Sequence, residues 1–171
     1  LPQDQFGPIW RREEGPPVVV FHGFKGGAGR TTLLASYALA HSRRGHHVVA
    51  VDMDLDAPGI GVLLAADAVG TTARWGTVDF LLESPSTQPL DDYFHICAQP
   101  DLTGDGRIEV FPTGQLNDEY LPKLARVDLD VNSKITAHPF SHLLNSIKCR
   151  NPDIILIDGR AGLASSAGLL L

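Results

Sequence analysis

The sequence is poor in cysteine and has no long apolar run. Only two cysteines occur among 171 residues, Cys97 and Cys149, and they lie far apart with no C-x-x-C spacing. Such a pair argues against a disulfide framework and a cysteine-based metal site, and it favours a reducing, cytoplasmic compartment. No stretch of apolar residues is long enough to cross a bilayer, so we expect no membrane span.

Basic residues are also scarce relative to acidic ones. The chain has 14 Lys and Arg residues against 20 Asp and Glu residues, which gives a formal net charge of −6. Since this balance disfavours binding of polyanions by the whole surface, we do not expect nucleic acid as a partner. With 43% hydrophobic residues, a chain of this length can bury the core of one globular domain.

A glycine-rich loop with the sequence GFKGGAGRTT spans residues 23–32, between an apolar run at 18–22 and an amphipathic segment that begins at Leu33. Strand, glycine loop and helix in this order are typical of a phosphate-binding site. Glycines let backbone N–H groups approach an anion, and the helix N-terminus adds a partial positive charge. The candidate phosphate-binding residues are Lys25, Gly26, Gly27, Ala28, Gly29, Arg30, Thr31 and Thr32.

Two residues depart from the standard pattern G-x-x-x-x-G-K-[ST], because Phe24 stands at the first glycine and Arg30 at the lysine. Lys25, placed before two glycines, makes the loop similar to the deviant Walker A motif, K-G-G-x-G-K-[ST], of ParA/MinD-type ATPases of the SIMIBI class. The Gly-Arg-Thr form resembles a K-G-G-V-G-R-T branch of that family. The resemblance implies that Lys25 reaches across a homodimer to the partner's nucleotide.

Acidic residues follow the second predicted strand, which covers residues 47–51. Asp52, Asp54 and Asp56 alternate there and precede a Pro-Gly turn. Carboxylates at the end of a buried strand are costly unless they face a cation or water. The family resemblance implies that Asp54 lies in switch I and orients the attacking water, and that Asp52 supports the magnesium shell or the loop. Three solvated acids in a turn remain the alternative.

A second acidic strand end lies at residues 153–158, where an apolar run ends in Asp158. This layout resembles Walker B, whose carboxylate holds a magnesium-bound water. The following Asp-Gly-Arg-Ala-Gly matches the branch pattern D-S-R-T-G at Arg160 and Gly162. We therefore predict a Mg²⁺ site formed by Thr31, Asp158 and Asp52. A core strand with an ordinary acidic exit remains the alternative.

The middle third of the chain carries weaker patterns. Two strands are predicted at residues 93–98 and 108–112, joined by a tight hairpin turn at 101–106. An interrupted helix is predicted at 116–127, limited by Pro122. In the family that the chain resembles, the loop after the corresponding strand abuts the nucleotide, which implies that Thr113 and Gly114 lie near it.

Together these patterns predict an α/β fold, a mostly parallel sheet with helices on both faces, of the three-layer P-loop type. We expect a linker or tail at residues 1–15 and a nucleotide-binding domain at 16–171. Relatives continue past the point matching Leu171, so we expect further segments in a larger protein.

The family resemblance implies a Mg²⁺-dependent ATPase that binds and hydrolyses ATP and acts as a nucleotide-dependent dimerisation switch. A non-hydrolysing, nucleotide-responsive regulatory module of a multidomain signalling or defence protein is the alternative. A DNA-partitioning ATPase is a third interpretation, which the acidic balance disfavours.

Overall fold

The computed structural model describes residues 15–65, 73–84, 88–97, 100–127 and 138–162. Strands and helices alternate through most of these residues. In chain order the elements are β1 (Val18–Gly23), α1 (Arg30–Ser42), β2 (His47–Met53), α2 (Ile60–Ala65), α3 (Thr77–Glu83), a 3-10 turn (Leu90–Tyr93), β3 (His95–Cys97), α4 (Pro100–Thr103), β4 (Arg107–Phe111), α5 (Tyr120–Leu124), α6 (Pro139–Lys148) and β5 (Ile154–Ala161).

The strands form one five-stranded sheet in the order β1-β5-β2-β4-β3. Neighbouring strands run parallel except β3, which pairs antiparallel with β4. The central strand β2 reads as a continuous apolar run, and Val48–Val51 are fully buried because helices cover both faces. The predicted α/β fold with a mostly parallel sheet is confirmed.

Two hydrophobic cores lie on opposite faces of the sheet. Alternate residues of β2 point to opposite sides, so Val48 packs with α1 and α2 while Val49 packs with α3 and α6. On α1, Leu34 and Ala38 are fully buried one turn apart. The result is the three-layer arrangement, with the carboxyl ends of β1, β2, β4 and β5 at one edge.

Two predicted local features differ in the structure. The connection between β3 and β4 is not a tight hairpin turn, because α4 forms one helical turn before Gly104 reverses the chain at a φ of 60°. A proline at the start of a helical turn leaves no hydrogen bond unmade, which permits α4. The predicted helix at 116–127 is shortened to α5, whose first turn includes Pro122.

Several predicted segments cannot be compared with the structure. The tail at residues 1–15 lies outside the described residues except for its last residue, and so does the chain after residue 162. Among the helices that the structure describes, none has the length and apolar character needed to cross a membrane.

A buried ion cluster fixes β4 at the end of the sheet away from the glycine loop. The carboxylate of Glu109 is almost fully buried and accepts two hydrogen bonds from Arg150, at 2.8 Å and 3.0 Å. Arg107 lies 3.2 Å and His47 3.4 Å from the same carboxylate. Burial raises the pKa of Glu109, but the hydrogen bonds from His47 and Arg150 and the nearby positive charges outweigh it and lower the pKa to about 2.

We predict that Glu109→Gln destabilises the protein in a pH-dependent manner. The pKa of Glu109 lies below its ordinary value of 4.5, so its stabilisation is present above pH 4.5 and is lost as the pH falls towards 2. At pH 7 the substitution should lower the free energy of unfolding by about 3 kcal/mol. Urea unfolding followed by circular dichroism at several pH values measures this.

The exposed Glu83 provides the matched control for this experiment. Glu83→Gln should unfold like the wild type at every pH. The difference between wild type and Glu109→Gln should close as the pH falls from 4.5 to 2. A difference that stays constant over this range contradicts the prediction.

Candidate functional site

The glycine loop leaves an open, donor-rich surface between β1 and α1. Gly27 and Gly29 adopt left-handed backbone conformations, with φ of 73° and 75°, and nothing lies within 4 Å of a Cβ placed on either residue. These φ values favour glycine and keep the backbone accessible. The first turn of α1 contains no acidic residue, and the residue before it provides no side-chain cap. Its unpaired N–H groups are therefore free to bind an anion.

Asp52 organises the loop that follows β2. Its carboxylate is almost fully buried and accepts N–H groups from Asp54 and Gly59 at 3.1 Å and from Ile60 at 3.3 Å. Burial and the neighbouring charge of Asp158 raise the pKa of Asp52 to about 7, although the three N–H groups oppose the shift. Asp52 therefore stabilises the predicted switch I loop directly.

Asp158 lies beside Asp52 on the neighbouring strand and has no such support. The two residues are in register in the parallel pair β2–β5. Asp158 is fully buried, and among the described residues neither carboxylate oxygen has a hydrogen-bond partner. The Thr31 hydroxyl is close enough to lower the pKa of Asp158 but does not reach hydrogen-bonding geometry. Burial dominates, so the pKa of Asp158 is raised overall.

This arrangement fits a hard divalent cation. A buried carboxylate without a donor is costly, and an oxygen-binding cation removes that cost. Thr31 and Asp158 provide a hydroxyl and a carboxylate at the mouth of the glycine loop. Both oxygens of Asp52 already accept backbone N–H groups. Asp52 is therefore better placed to contribute negative charge near the cation than to supply a coordinating oxygen.

Arg30 connects the start of α1 to the loop that follows β2 and to strand β5. Its Nη2 donates to Asp54 Oδ2 at 2.9 Å, and its Nη1 donates to the carbonyl oxygen of Gly159. Both partners of the ion pair are largely buried, with 11% and 8% of their side chains exposed. In this structure the guanidinium therefore neutralises Asp54, the carboxylate that was predicted to orient water.

The predicted trans-acting lysine points into solvent. Lys25 is exposed, and among the described residues it forms no ion pair or hydrogen bond. Its neighbour Phe24 is 79% exposed, although it replaces the first glycine of the standard pattern. Its ring meets that of His22 in an edge-to-face arrangement, at a centroid distance of 5.7 Å. The loop tip is thus free to contact another molecule.

Comparison with known proteins agrees with this geometry. Residues 19–79 match the model of the CobQ/CobB/MinD/ParA nucleotide binding domain. Comparison with curated protein sequences gives no significant match.

Solved structures extend the likeness beyond the matched segment. One is the septum site-determining protein MinD from Pyrococcus horikoshii, complexed with Mg-ADP, which is 26% identical to this chain. The match covers 91% of this chain and 54% of the MinD chain, with a TM-score of 0.64. The cell division ATPase MinD from Pyrococcus furiosus is 26% identical, with 90% and 54% covered and a TM-score of 0.63. The chain thus spans about half the length of these relatives.

The resemblance to ParA/MinD-type P-loop ATPases is confirmed. The chain carries a ParA/MinD-like nucleotide-binding domain. The kinase domain of the Escherichia coli tyrosine kinase ETK shares the fold alone, at 16% identity and a TM-score of 0.61. That match covers 92% of this chain and 52% of the ETK domain.

Within this ParA/MinD-like domain, two contacts at the end of β2 and just after it have no counterpart in the sequence interpretation. The Tyr120 hydroxyl donates to the carbonyl oxygen of Leu55 at 2.7 Å, and the Thr77 hydroxyl donates to that of Asp52 at 2.9 Å. Both donors come from distant helices, and any residue type can provide the carbonyl acceptor. The sequence therefore carried no signal for them. Thr113 and Gly114, predicted near the nucleotide, line a cavity of about 220 Å³ together with Asp52.

We predict that Asp158→Asn stabilises the metal-free protein. The raised pKa of Asp158 means that the native state disfavours its charged form, so the carboxylate costs stability above its ordinary pKa. At pH 8 with EDTA, the amide should raise the free energy of unfolding, because it removes a buried charge that the native state disfavours. The gain should shrink as the pH falls and Asp158 takes up a proton.

Thermal unfolding at pH 8 measures this effect. Asp105→Asn is the matched control, because Asp105 is exposed in the turn before β4, at the edge of the sheet opposite the carboxyl strand ends, and it should unfold like the wild type. A lower melting temperature for Asp158→Asn than for the wild type in EDTA would contradict the prediction.

Proposed function

We propose that this domain binds ATP with Mg²⁺ and hydrolyses it by phosphoryl transfer to water. The observation that carries the proposal is the fully buried Asp158, which lies next to Thr31 and whose two oxygens have no hydrogen-bond partner in the described part of the chain. A carboxylate in this state, next to an open glycine loop and a helix N-terminus, suits a metal–triphosphate complex.

Each part of the site has a distinct task in this proposal. The loop N–H groups, Arg30 and Thr32 bind phosphate oxygens, while Thr31 and Asp158 hold Mg²⁺. The metal, when bound, screens the negative charge that develops on the phosphates. Asp54 orients the attacking water and accepts its proton. Lys25, exposed at the loop tip, reaches the phosphates of a second copy in a homodimer formed through the nucleotide face.

The contact between Arg30 and Asp54 supports a second candidate function. While the guanidinium holds Asp54 at 2.9 Å, that carboxylate is not free to orient water. A domain that keeps this ion pair with nucleotide bound would bind ATP without turnover and act as a regulatory module. The two candidates share a binding site and differ in whether Arg30 releases Asp54.

Binding is tested first. We expect Asp158→Asn and Thr31→Ala to weaken Mg²⁺-dependent binding of a fluorescent ATP analogue by at least tenfold, because each removes a proposed metal ligand. Binding without Mg²⁺ should change little. Equilibrium titration with and without EDTA measures both, with Asp105→Asn as the control that keeps wild-type affinity. Equal affinity of wild type and Asp158→Asn in Mg²⁺ would refute the metal assignment.

Turnover is tested with substitutions at the ion pair. Asp54→Asn should reduce phosphate release by roughly a hundredfold while ATP affinity changes less than about threefold. Arg30→Lys should release Asp54, since an ammonium cannot bridge both partners as the guanidinium does. Phosphate release that is absent in wild type and appears in Arg30→Lys would favour the regulatory module. Release unaffected by Asp54→Asn would rule out its proposed role.

A further inference from the structure

The glycine loop presents an aromatic side chain to solvent. Phe24 is 79% exposed, the highest exposed fraction of any large hydrophobic side chain among the described residues. It directly precedes Lys25, which is also exposed. Because glycine occupies this position in the standard pattern, phosphate binding itself does not need a ring there. A fully exposed ring is unfavourable in water, and such rings stabilise protein–protein contacts when a pocket of the partner receives them.

A mostly apolar cavity lies at the same edge of the sheet, and we call it the β4-end cavity. It has a volume of about 220 Å³, and it lies between the loop after β2, the start of α2 and the segment after β4. Its apolar walls are formed by Pro58, Val62, Pro112 and Leu116. Val62 is 68% exposed and Leu116 is 63% exposed, so two large apolar side chains stand at its rim. Since an apolar cavity of about 150 Å³ can hold benzene, this cavity has room for a phenyl ring.

Within one copy of the chain, Phe24 and the β4-end cavity lie apart. Phe24 follows β1, and the strand order β1-β5-β2-β4-β3 puts β1 two strands from β2 and three strands from β4. With strands spaced about 4.8 Å apart, the separation is roughly 10–14 Å. The Phe24 ring instead meets the ring of His22. The cavity must therefore be filled from another molecule if a ring of this kind fills it.

A second copy of the chain brings the ring and the cavity together. In the strand order, β1 and β4 lie at equal distances on either side of the line between β5 and β2. Consider a two-fold axis perpendicular to the sheet, placed on that line just beyond the carboxyl ends of the strands. This axis sets the β1 loop of each copy opposite the β4 end of the other. Both copies then use the same two surfaces, which is the requirement for a closed, symmetric dimer.

The surroundings of the ring and of the cavity also match. Gly59 lines the β4-end cavity, and a Cβ placed on Gly59 would lie 3.2 Å from Thr31 Cγ2. The cavity therefore adjoins the proposed metal site. A copy whose Phe24 enters the cavity brings its Lys25, the next residue in the chain, to the phosphates proposed to bind beside Thr31. The positive charge of Lys25 then meets negative charge on the facing copy.

We propose that Phe24 stabilises a homodimer by inserting into the β4-end cavity of a second copy. Each dimer contains two such contacts, and each contact places Lys25 beside the phosphate site of the facing copy. This contact rests on the proposed nucleotide-dependent homodimer, to which it adds the side chain that is buried and the surface that receives it.

The role of the ring is tested by analytical ultracentrifugation of the full chain with Mg²⁺ and a non-hydrolysable ATP analogue. Phe24→Ala should raise the dissociation constant of the dimer at least tenfold, because each dimer loses two buried rings. Phe24→Leu, which stays large and apolar, should recover most of that loss. A wild type that stays monomeric, or a Phe24→Ala variant that dimerises as tightly as wild type, would overturn the proposal.

The cavity is tested from its rim. Val62→Asp should weaken the dimer as strongly as Phe24→Ala, because it places a charge where the ring is buried. Leu121→Asp is the matched control, since Leu121 is 71% exposed and does not line the cavity, and it should dimerise like wild type. If Val62→Asp instead weakens binding of the fluorescent ATP analogue to the monomer, the nucleotide occupies the cavity and the proposed dimer contact is wrong.

The arrangement of the two copies is tested by cross-linking in a Cys149→Ser background, because Cys149 is exposed and Cys97 is buried. Chains carrying Phe24→Cys are mixed with chains carrying Leu116→Cys and treated with a short bismaleimide. The mixed pair should cross-link efficiently. Phe24→Cys alone and its mixture with Leu121→Cys should give little product. Equal cross-linking of Phe24→Cys with itself would refute the proposed arrangement.

The proposed function and the dimer contact fail in different ways. Absence of any binding of the fluorescent ATP analogue refutes the proposed function, whatever the oligomeric state. Binding of the analogue without the Phe24–Leu116 cross-link leaves the proposed nucleotide binding intact and refutes the contact. Cross-linking is therefore carried out both with and without the analogue, and absence of the product in both conditions overturns the contact.

Discussion

Two carboxylates side by side in a dry sheet edge are the constraint around which this domain is built. Asp52 and Asp158 sit in register on neighbouring parallel strands, and both are buried. Their mutual repulsion and the loss of water destabilise the charged pair. Three backbone N–H groups that donate to Asp52 offset part of this cost. Asp158 has no hydrogen-bond partner in the part of the chain that the structure describes, and a buried polar group in that state needs an explanation, which the proposed metal provides.

Arg30 supplies an internal counter-charge at the proposed site. Its guanidinium donates to Asp54 and to the Gly159 carbonyl, so a single side chain connects the start of α1 to the loop after β2 and to strand β5. A lysine provides one compact charge, whereas the planar guanidinium can donate in two directions at once. Arg30, which departs from the lysine of the standard motif, is therefore also the residue that holds these segments together. Binding of a phosphate at the loop must compete with these contacts.

The sequence predicted the parts of the site that follow from backbone topology. Parallel strands bring their carboxyl ends to one edge, so an acid after each of two apolar runs places Asp52 and Asp158 together. The glycine loop was readable because its conformations favour glycine at positions such as Gly27 and Gly29. The pairing of Arg30 with Asp54 was not readable, since a cation near several anions selects its partner only once the loops are folded.

Contacts to main-chain carbonyls were beyond sequence reasoning for a different reason. Thr77 donates to the carbonyl oxygen of Asp52 near the end of β2, and Tyr120 donates to that of Leu55 just after it, and a carbonyl carries no residue identity. These two bonds hold the end of β2 and the segment that follows it to α3 and α5. A movement of Asp54 towards a bound nucleotide must therefore preserve or break them. The α3–α5 side of the sheet thus supports the backbone that carries Asp54, although it contributes no ligand to the proposed nucleotide site.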